Sequence, residues 1–577
     1  MKLRTRRTGL VSLAGLVAAL SLAAASCSRS GPEPAAPPPP GTPRLVVVVV
    51  VDQFRADYLG RLEGLWSGGM RRLLDEGVVF TQAHHGNAVT ETGPGHASLA
   101  TGAHPARHGI VANEWFDRGL GRTINCVEDR EDAAVTSPSN LLLPTLGDRL
   151  KRRYPASRVY AASGKDRGAV LMAGHLGDGA FWYDDDEDGY LAGRHYYEAG
   201  VPRWFEEWKA AGPGDELYLA GWAPLPVEAA AAATAGFSPF DRGPFDHGSF
   251  SSPAPGRLVG GLSHRRDESF YAGLFRTPGI DAWLGRLGAE IVVREGLGED
   301  GSPDLLSLSF SALDIVGHAY GPTSLEVLDT LLRLDRTLGE LFDLLDGRLG
   351  ADGWAVAVSA DHGVVPLAES AGADAGLSRA GLAEAVCLRR IGDDLAARRG
   401  DGVWIGNGWD ALYLDRTVLA AAGVASAAEL AAVQEELALA VEECPSVAEA
   451  WTLTELLAMP APAVPPHPGD DGWLPELQRR NAHAGRSPDV TIQWVEGFNP
   501  SVTHYASHGS PYAYDTHVPL VVRLPGVAAA TVDEPVETVD LTPTLAALLG
   551  LEPAAEVDGV DRSALLGAVS ADRGPSR

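Results

Sequence analysis

The feature that most limits the fold of this 577-residue chain is the apolar run RLVVVVVV at residues 44–51. An unbroken run of β-branched residues favours a strand that is buried on both faces, since a half-exposed strand would alternate with polar residues. Such strands lie in the middle of parallel sheets. We therefore predict a central strand here, and Asp52 follows directly at its carboxyl end.

Strands and helices are predicted to alternate along the rest of the chain. This alternation predicts an α/β fold with a doubly wound, mostly parallel central sheet flanked by helices. Two stretches, 213–267 and 365–500, break the alternation, and we expect insertions that form a cap near the active site. The other predicted strands are 78–81, 158–162, 305–310, 354–360, 518–523 and a hairpin over 181–190; the predicted helices are 70–76, 141–153, 202–210, 280–295, 326–345 and 541–551.

Three buried strands each lead into an aspartate: Asp52, Asp314 and Asp361. In open α/β sheets the ligand site lies beyond the carboxyl ends of the strands, so these aspartates are expected to share one site.

A threonine opens the small-residue segment TETGPGHASLATG at residues 90–102. Pro94 suits the first turn of a helix, which puts Thr92 at or next to the N-cap. Free backbone N–H groups and the positive end of the helix dipole would then lie beside its hydroxyl, where an anion can bind. The alternative is that Thr92 only caps a helix.

Histidines accompany two of the aspartates. Asp314 and His318 are four residues apart, which puts both on one face of a helix, and His362 directly follows Asp361. His508 lies in the loop segment ASHGSP. Singly, each histidine is explained as well by a surface or core position. Together, carboxylate and imidazole suit zinc or manganese. Two such ions about 4 Å apart would clamp the oxygens of a phosphoryl transfer, with a threonine hydroxyl as nucleophile.

Seven motifs, in order and spacing, carry a resemblance to a known superfamily. They are VVVDQFRADYL, TETGPGHASLATG, HGIVANEWFDR, SGKDRGAVLMAGH, SALDIVGHAYGP, SADHG and SHGSPYAYDTHVPL. The chain resembles the alkaline phosphatase superfamily from about residue 44 to 566. Within it, the likeness is greatest to the phosphate-irrepressible, secreted bacterial alkaline phosphatases that use a threonine nucleophile.

The resemblance implies a ligand set and a mechanism. Asp52, Thr92, Asp361 and His362 would hold one zinc ion, and Asp314, His318 and His508 a second; whether magnesium also binds is left open. Asn113, Lys165 and Arg167 would contact phosphoryl oxygens, and Thr92 would form a phosphothreonine. The alternatives are a turn residue for Asn113 and a solvated basic loop for the other two. Other histidines near these motifs are expected to orient loops or ligands rather than to bind metal: His84, His85, His96 and His517.

The Lys165–Arg167 pair favours phosphate monoesters as substrates. A monoester has more charge on its non-bridging oxygens than a diester, so added cations stabilise its transition state more. Related nucleotide pyrophosphatases and phosphodiesterases lack this pair. One alternative is a phosphodiesterase or nucleotide pyrophosphatase on the same scaffold, and another is a non-catalytic zinc- or phosphate-binding lipoprotein.

The N-terminal sequence predicts an exported protein. Residues 1–27 read as a signal peptide of lipoprotein type, with Cys27 as the lipid anchor and ordinary secretion as the alternative. A Pro-rich tether (28–43), a catalytic domain (44–567) and a disordered tail (568–577) would follow. The predicted location is the periplasm, the outer membrane or the medium. A net charge of −29 argues against nucleic acid as a partner. We expect a monomer in which Cys126, Cys387 and Cys444 allow at most one disulfide.

Overall fold

The computed structural model describes residues 37–184, 189–197, 200–212, 222–237, 268–366, 377–406, 411–501, 504 and 506–567. The predicted signal peptide with Cys27, most of the tether, the turn of the 181–190 hairpin, most of the 213–267 insertion and the 568–577 tail lie outside these ranges. Within the described residues, no helix is both long enough and apolar enough to cross a bilayer.

The described residues form one large sheet and two smaller ones. The strands are, in chain order, β1 (Leu45–Val51), β2 (Val78–His84), β3 (Glu114–Asp117), β4 (Arg122–Asn125), β5 (Val159–Ser163), β6 (Gly179–Asp184), β7 (Gly189–Ala192), β8 (Asp304–Phe310), β9 (Trp354–Ser359), β10 (Trp404–Gly406), β11 (Ala411–Leu414), β12 (Val447–Thr452), β13 (Val490–Trp494), β14 (His517–Arg523), β15 (Ala530–Val532) and β16 (Val536–Glu537). The large sheet has the order β15-β2-β14-β9-β1-β8-β5-β6-β7, with β16 also beside β2.

The apolar run predicted as a central strand is confirmed as β1. It pairs in parallel with β8 on one side and β9 on the other, and all seven residues are buried. Val47 and Val49 face one apolar core, whereas Val46 and Val48 face a second. Both faces of the strand are thus covered, as its unbroken hydrophobicity requires.

Some helices cover both faces of the large sheet, and others pack on the smaller antiparallel sheet. They are α1 (Asp57–Arg61), α2 (Gly69–Glu76), α3 (Thr92–Thr101), α4 (Pro105–His108), α5 (Leu146–Arg153), α6 (Asp166–Ala173), α7 (Arg203–Ala210), α8 (Ala229–Thr234), α9 (Glu268–Phe275), α10 (Gly279–Glu295), α11 (Ala312–Tyr320), α12 (Leu325–Leu349), α13 (Leu377–Arg399), α14 (Arg416–Ala421), α15 (Ala427–Val441), α16 (Leu453–Ala458), α17 (Trp473–Asn481), α18 (Ala513–Thr516) and α19 (Leu541–Leu548). The predicted mostly parallel, doubly wound sheet flanked by helices is confirmed.

Several details differ from the sequence prediction, including the start of one helix and the direction of one strand. The helix predicted from residue 141 begins at Leu146, because Thr145 and Asp148 form a capping box that fixes its start. Strand β14 runs antiparallel to both of its neighbours, β2 and β9. Its direction is not encoded in its own hydrophobic pattern.

The segment predicted as a second insertion, 365–500, contains a smaller antiparallel sheet with the order β10-β11-β13-β12. Helices α13 and α15 pack on it around an apolar core of their own. A disulfide joins Cys387 in α13 to Cys444 just after α15. The sequence left the pairing of the three cysteines open; Cys126 is free and buried.

Candidate active site

The predicted aspartates meet at the carboxyl edge of the large sheet. Asp52 directly follows β1, Asp361 lies two residues after β9, and α11, which follows β8, carries Asp314. Because β1 lies between β8 and β9, the three carboxylates come from adjacent positions along this edge. All three are buried, with exposed fractions of 4% or less.

The predicted histidines complete two groups of ligand atoms. One ligand atom each of Asp52, Asp361 and His362 lie within 4.8 Å of one another, and so do atoms of Asp314, His362 and His508. The rings of His362 and His508 stack with centroids 3.5 Å apart. His362 therefore faces both groups, whereas the sequence prediction gave it to the first alone.

Asp314 lies next to both histidines of the second group. Its Oδ1 lies 3.1 Å from His318 Nε2 and 3.4 Å from His508 Nε2. The spacing of Asp314 and His318 on one face of a helix, predicted from the sequence, is thus confirmed in α11.

The hydrogen bonds of the three histidines fix their tautomers. In each ring Nδ1 contacts a backbone carbonyl: Ala506 O at 2.7 Å for His318, Thr90 O at 2.8 Å for His508 and Gly363 O at 2.9 Å for His362. A carbonyl only accepts, so Nδ1 carries a proton in each ring, and Nε2 is the nitrogen left to bind a cation when the imidazole is neutral. Nε2 of each ring lies near carboxylate oxygens, and histidines that bind metal commonly donate their other ring N–H to a backbone carbonyl in this way.

The electrostatics of the site also call for a cation. Burial raises the pKa of Asp52 well above its usual range, and the neighbouring carboxylates of Asp314 and Asp361 raise it further. Burial lowers the pKa of His362 to about 3, so this ring is neutral. His362 Nε2 is buried without a hydrogen-bond partner. Oxygen and nitrogen donors in this arrangement fit a divalent ion such as zinc or manganese.

The predicted nucleophile lies at the start of a helix beside these groups. Thr92 is the first residue of α3 and is 1% exposed. Gly95, one turn below, packs so closely that a Cβ there would lie 2.3 Å from Asp361 O. His96 lies 3.3 Å from Asp361 Oδ2, and its ring nitrogens bond to Thr92 O and Ser309 Oγ. It thus orients a predicted ligand, as the sequence suggested.

Asn113 modifies one expectation about the start of α3. Its side-chain oxygen accepts a hydrogen bond of 2.7 Å from the Gly93 N–H. The sequence analysis predicted free N–H groups at this helix start, and this one is already bonded. Because its oxygen is used, the Asn113 amide has its NH₂ group left to donate. Glu91 holds the residue in place by accepting from the Asn113 backbone N–H at 2.6 Å.

Of the predicted cationic pair, Lys165 lies beside Thr92, and Arg167 lines a cavity next to Asn113. The ammonium of Lys165 lies 3.3 Å from Thr92 Oγ1, 2.5 Å from Asp52 Oδ2 and 2.7 Å from Asp314 Oδ2. Arg167 lines a cavity of about 380 Å³ together with Asn113 and Glu91. A second cavity, of about 320 Å³, opens on the His508 side and is lined by Trp494, Phe498 and His504, among others.

Two residues in contact with the site escaped the sequence prediction. Gln53 donates to both Asp314 and Asp361, and Glu91 supports Asn113. Each is the direct neighbour of a predicted site residue, inside a motif that the resemblance had already picked out. That adjacency marks their place in the sequence, but it does not reveal the contacts that they make in the fold.

Comparison with known proteins identifies the family of the chain. Residues 46–500 match the model of the family described as type I phosphodiesterase / nucleotide pyrophosphatase. Alkaline phosphatase PhoK of a Sphingomonas species is 31% identical over 548 residues, 90% of each chain. Alkaline phosphatase PafA of Elizabethkingia meningoseptica is 29% identical over 533 residues, 88% of this chain and 92% of PafA.

The fold is also similar to that of solved PafA structures. The crystal structure of wild-type PafA gives a TM-score of 0.76 at 26% identity, covering 91% of this chain and 99% of PafA. A solved PafA variant gives a TM-score of 0.77 at 25% identity, covering 90% of this chain and 98% of that one. In that variant one threonine is replaced by serine, and one asparagine, one lysine and one arginine are replaced by alanine.

Proposed function

The chain belongs to the type I phosphodiesterase / nucleotide pyrophosphatase family, and we propose that within it this chain is an alkaline phosphatase that hydrolyses small phosphate monoesters through a phosphothreonine intermediate. The observation that carries the proposal is the position of Lys165. Its ammonium reaches the predicted nucleophile and one carboxylate of each ligand group.

The ligand groups fit two divalent cations, and we propose two zinc ions. Asp52, Thr92, Asp361 and His362 would hold one, and Asp314, His318 and His508 the other. Ions bound there would lower the pKa of a coordinated hydroxyl and offset the charge of the entering and leaving oxygens. The buried His362 Nε2, which makes no hydrogen bond, supports this reading.

The residues of the chain supply the rest of the reaction. Thr92 Oγ1 attacks phosphorus, the ester P–O bond breaks, and the alcohol leaves a phosphothreonine behind. Water then hydrolyses that ester, releasing phosphate and restoring the hydroxyl. Lys165, Arg167 and the free NH₂ of Asn113 donate to the non-bridging oxygens, on which charge accumulates in the transition state.

The relatives support these roles by the residue types involved. The solved PafA variant is substituted at one threonine, one asparagine, one lysine and one arginine. One residue of each type surrounds the proposed phosphoryl site here: Thr92, Asn113, Lys165 and Arg167.

A comparison of two substrates tests the proposal. The zinc-loaded protein should hydrolyse an aryl phosphate monoester with a much higher kcat/KM than the matching aryl diester. Faster turnover of the diester would instead identify a phosphodiesterase. Bound zinc without turnover of either ester would identify a non-catalytic binding protein, the second alternative.

The cellular location is a separate proposal, drawn from residues 1–27. We propose export, with lipid attachment at Cys27 and a monomeric catalytic domain held at the membrane by the 28–43 tether. Replacing Cys27 by serine should release the protein from the membrane fraction and prevent incorporation of labelled fatty acid. An unlabelled wild-type chain in the medium would indicate ordinary secretion.

A further inference from the structure

Gln53, the residue after Asp52, has an unusual backbone conformation. Its φ is +64°, which makes it the one non-glycine residue with positive φ in the described part of the chain. L-residues adopt this left-handed conformation at a cost, whereas glycine does so freely. Gln53 is also 1% exposed. The cost of keeping a side chain at this position points to a use for that side chain.

Gln53 donates a hydrogen bond to each of two predicted metal ligands. Its backbone N–H donates to Asp361 Oδ1 at 3.2 Å, and its side-chain Nε2 donates to Asp314 Oδ1 at 2.7 Å. A carboxylate only accepts, so the amide nitrogen, not the oxygen, must face Asp314. One residue thus links a carboxylate of the first ligand group to a carboxylate of the second.

The Gln53 amide packs against helix α11 at a glycine, where no side chain occupies the space. Gly317 lies between Asp314 and His318, and a Cβ there would lie 1.9 Å from Gln53 Oε1 and 3.0 Å from its Cδ. Any larger residue would displace the amide from Asp314. The ligand-bearing helix and the residue after Asp52 therefore fit together as a pair.

We propose that Gln53 is a positioning residue that fixes the spacing of the two metal-binding groups, with Gly317 as the space that admits it. This inference rests on the proposed function, since it requires both groups to bind cations. Residues that hydrogen-bond metal ligands typically affect metal affinity or activity by about 10–100-fold when replaced. Gln53 acts through Asp314 and Asp361 and touches no reacting atom.

The test measures zinc affinity on protein stripped of metal, by competition with a chromophoric chelator. The variants are Gln53→Gly, Gly317→Ala and the double variant. Gln53→Gly removes the side-chain bond, keeps the backbone N–H and relieves the positive φ. Gly347→Ala is the matched control, because Gly347 is also inside a helix and a Cβ there meets nothing within 4 Å.

We expect Gln53→Gly to weaken zinc binding by about 10–100-fold while the stripped protein melts at the same or a higher temperature. A residue with a merely structural role would lower that melting temperature. Gly317→Ala should weaken zinc binding similarly on its own but add no further loss in the Gln53→Gly background, where the space is empty. Gly347→Ala should leave zinc affinity unchanged.

Two results would overturn the inference while the proposed function stands: wild-type zinc affinity in Gln53→Gly, or an equal effect of Gly317→Ala in both backgrounds. A stripped wild-type protein that takes up no zinc and hydrolyses no monoester would instead refute the proposed function, and the inference with it.

Discussion

The proposed preference for monoesters predicts a selective loss when Lys165 and Arg167 are both replaced by alanine. A phosphorus atom about to be attacked lies about 3–3.5 Å from the nucleophile. Lys165 Nζ is 3.3 Å from Thr92 Oγ1, so we place the non-bridging oxygens about 4 Å from this ammonium. A monoester dianion has one more negative charge there than a diester.

The size of the effect follows from that extra charge. Two unit charges about 4 Å apart interact by about 4 kcal/mol at the effective dielectric of about 20 that suits protein sites. The Lys165 side chain is 9% exposed, so solvent screens it little, whereas Arg167 at 22% contributes about 1 kcal/mol. Since 1.4 kcal/mol is tenfold, we expect the double variant to lose about 1,000-fold or more in monoester kcat/KM relative to diester kcat/KM.

The assay compares kcat/KM for an aryl monoester and the matching diester at saturating zinc. Zinc content is measured alongside, because Lys165 also contacts Asp52 and Asp314. The matched control is Arg203→Ala, which removes a 91% exposed side chain of helix α7 that pairs with Glu207 on the same helix. Equal losses on both esters would refute the argument, because the pair would then not sense the additional charge.

Three further predictions follow from the structure. Thr92→Ala should abolish monoester turnover while elemental analysis still finds bound zinc; persistent turnover would exclude Thr92 as the nucleophile. Burial raises the pKa of Asp281 from 3.8 to about 7, so the folded state holds this proton more tightly and loses stability as pH rises from about 4 to 7. Asp281→Asn should therefore melt higher than wild type at pH 8, by up to about 4 kcal/mol in unfolding free energy, with little difference at pH 4; no change with pH would contradict the assignment. Replacing Cys387 and Cys444 by serine opens a loop of 57 residues and should lower the free energy of unfolding by up to about 4 kcal/mol, measured by chemical denaturation; an unaltered midpoint would show that the crosslink adds no stability.

Much of the fold could be predicted because hydrophobic runs report burial directly. The six valines of residues 46–51 require cover on both faces, and that places β1 in the centre with Asp52 at its end. The antiparallel direction of β14 could not be predicted, because pairing partners distant in sequence decide it. The start of α5 could have been predicted, since Thr145 and Asp148 have the spacing of a capping box.

The parts of the candidate site that could be predicted are those in which residue type and spacing alone indicate metal binding. The four-residue spacing of Asp314 and His318 is enough to predict that both lie on one face of a helix. The role of Gln53 has no such spacing pattern, because a positive φ and a hydrogen bond to a distant helix leave no periodicity in the sequence. The role of Glu91 also leaves no pattern in the sequence, because only the tertiary fold brings its partner Asn113 close.

The wide separation of Asp52 and His508 along the chain has a consequence for biogenesis. The first ligand group needs residues from Asp52 to His362 and the second needs residues from Asp314 to His508, so the two-group site is incomplete until His508 has folded into place. Contacts between such distant segments form late and slowly. A nascent or truncated chain would therefore have no working catalytic centre. Binding of metal to both groups would then indicate that the catalytic domain has folded.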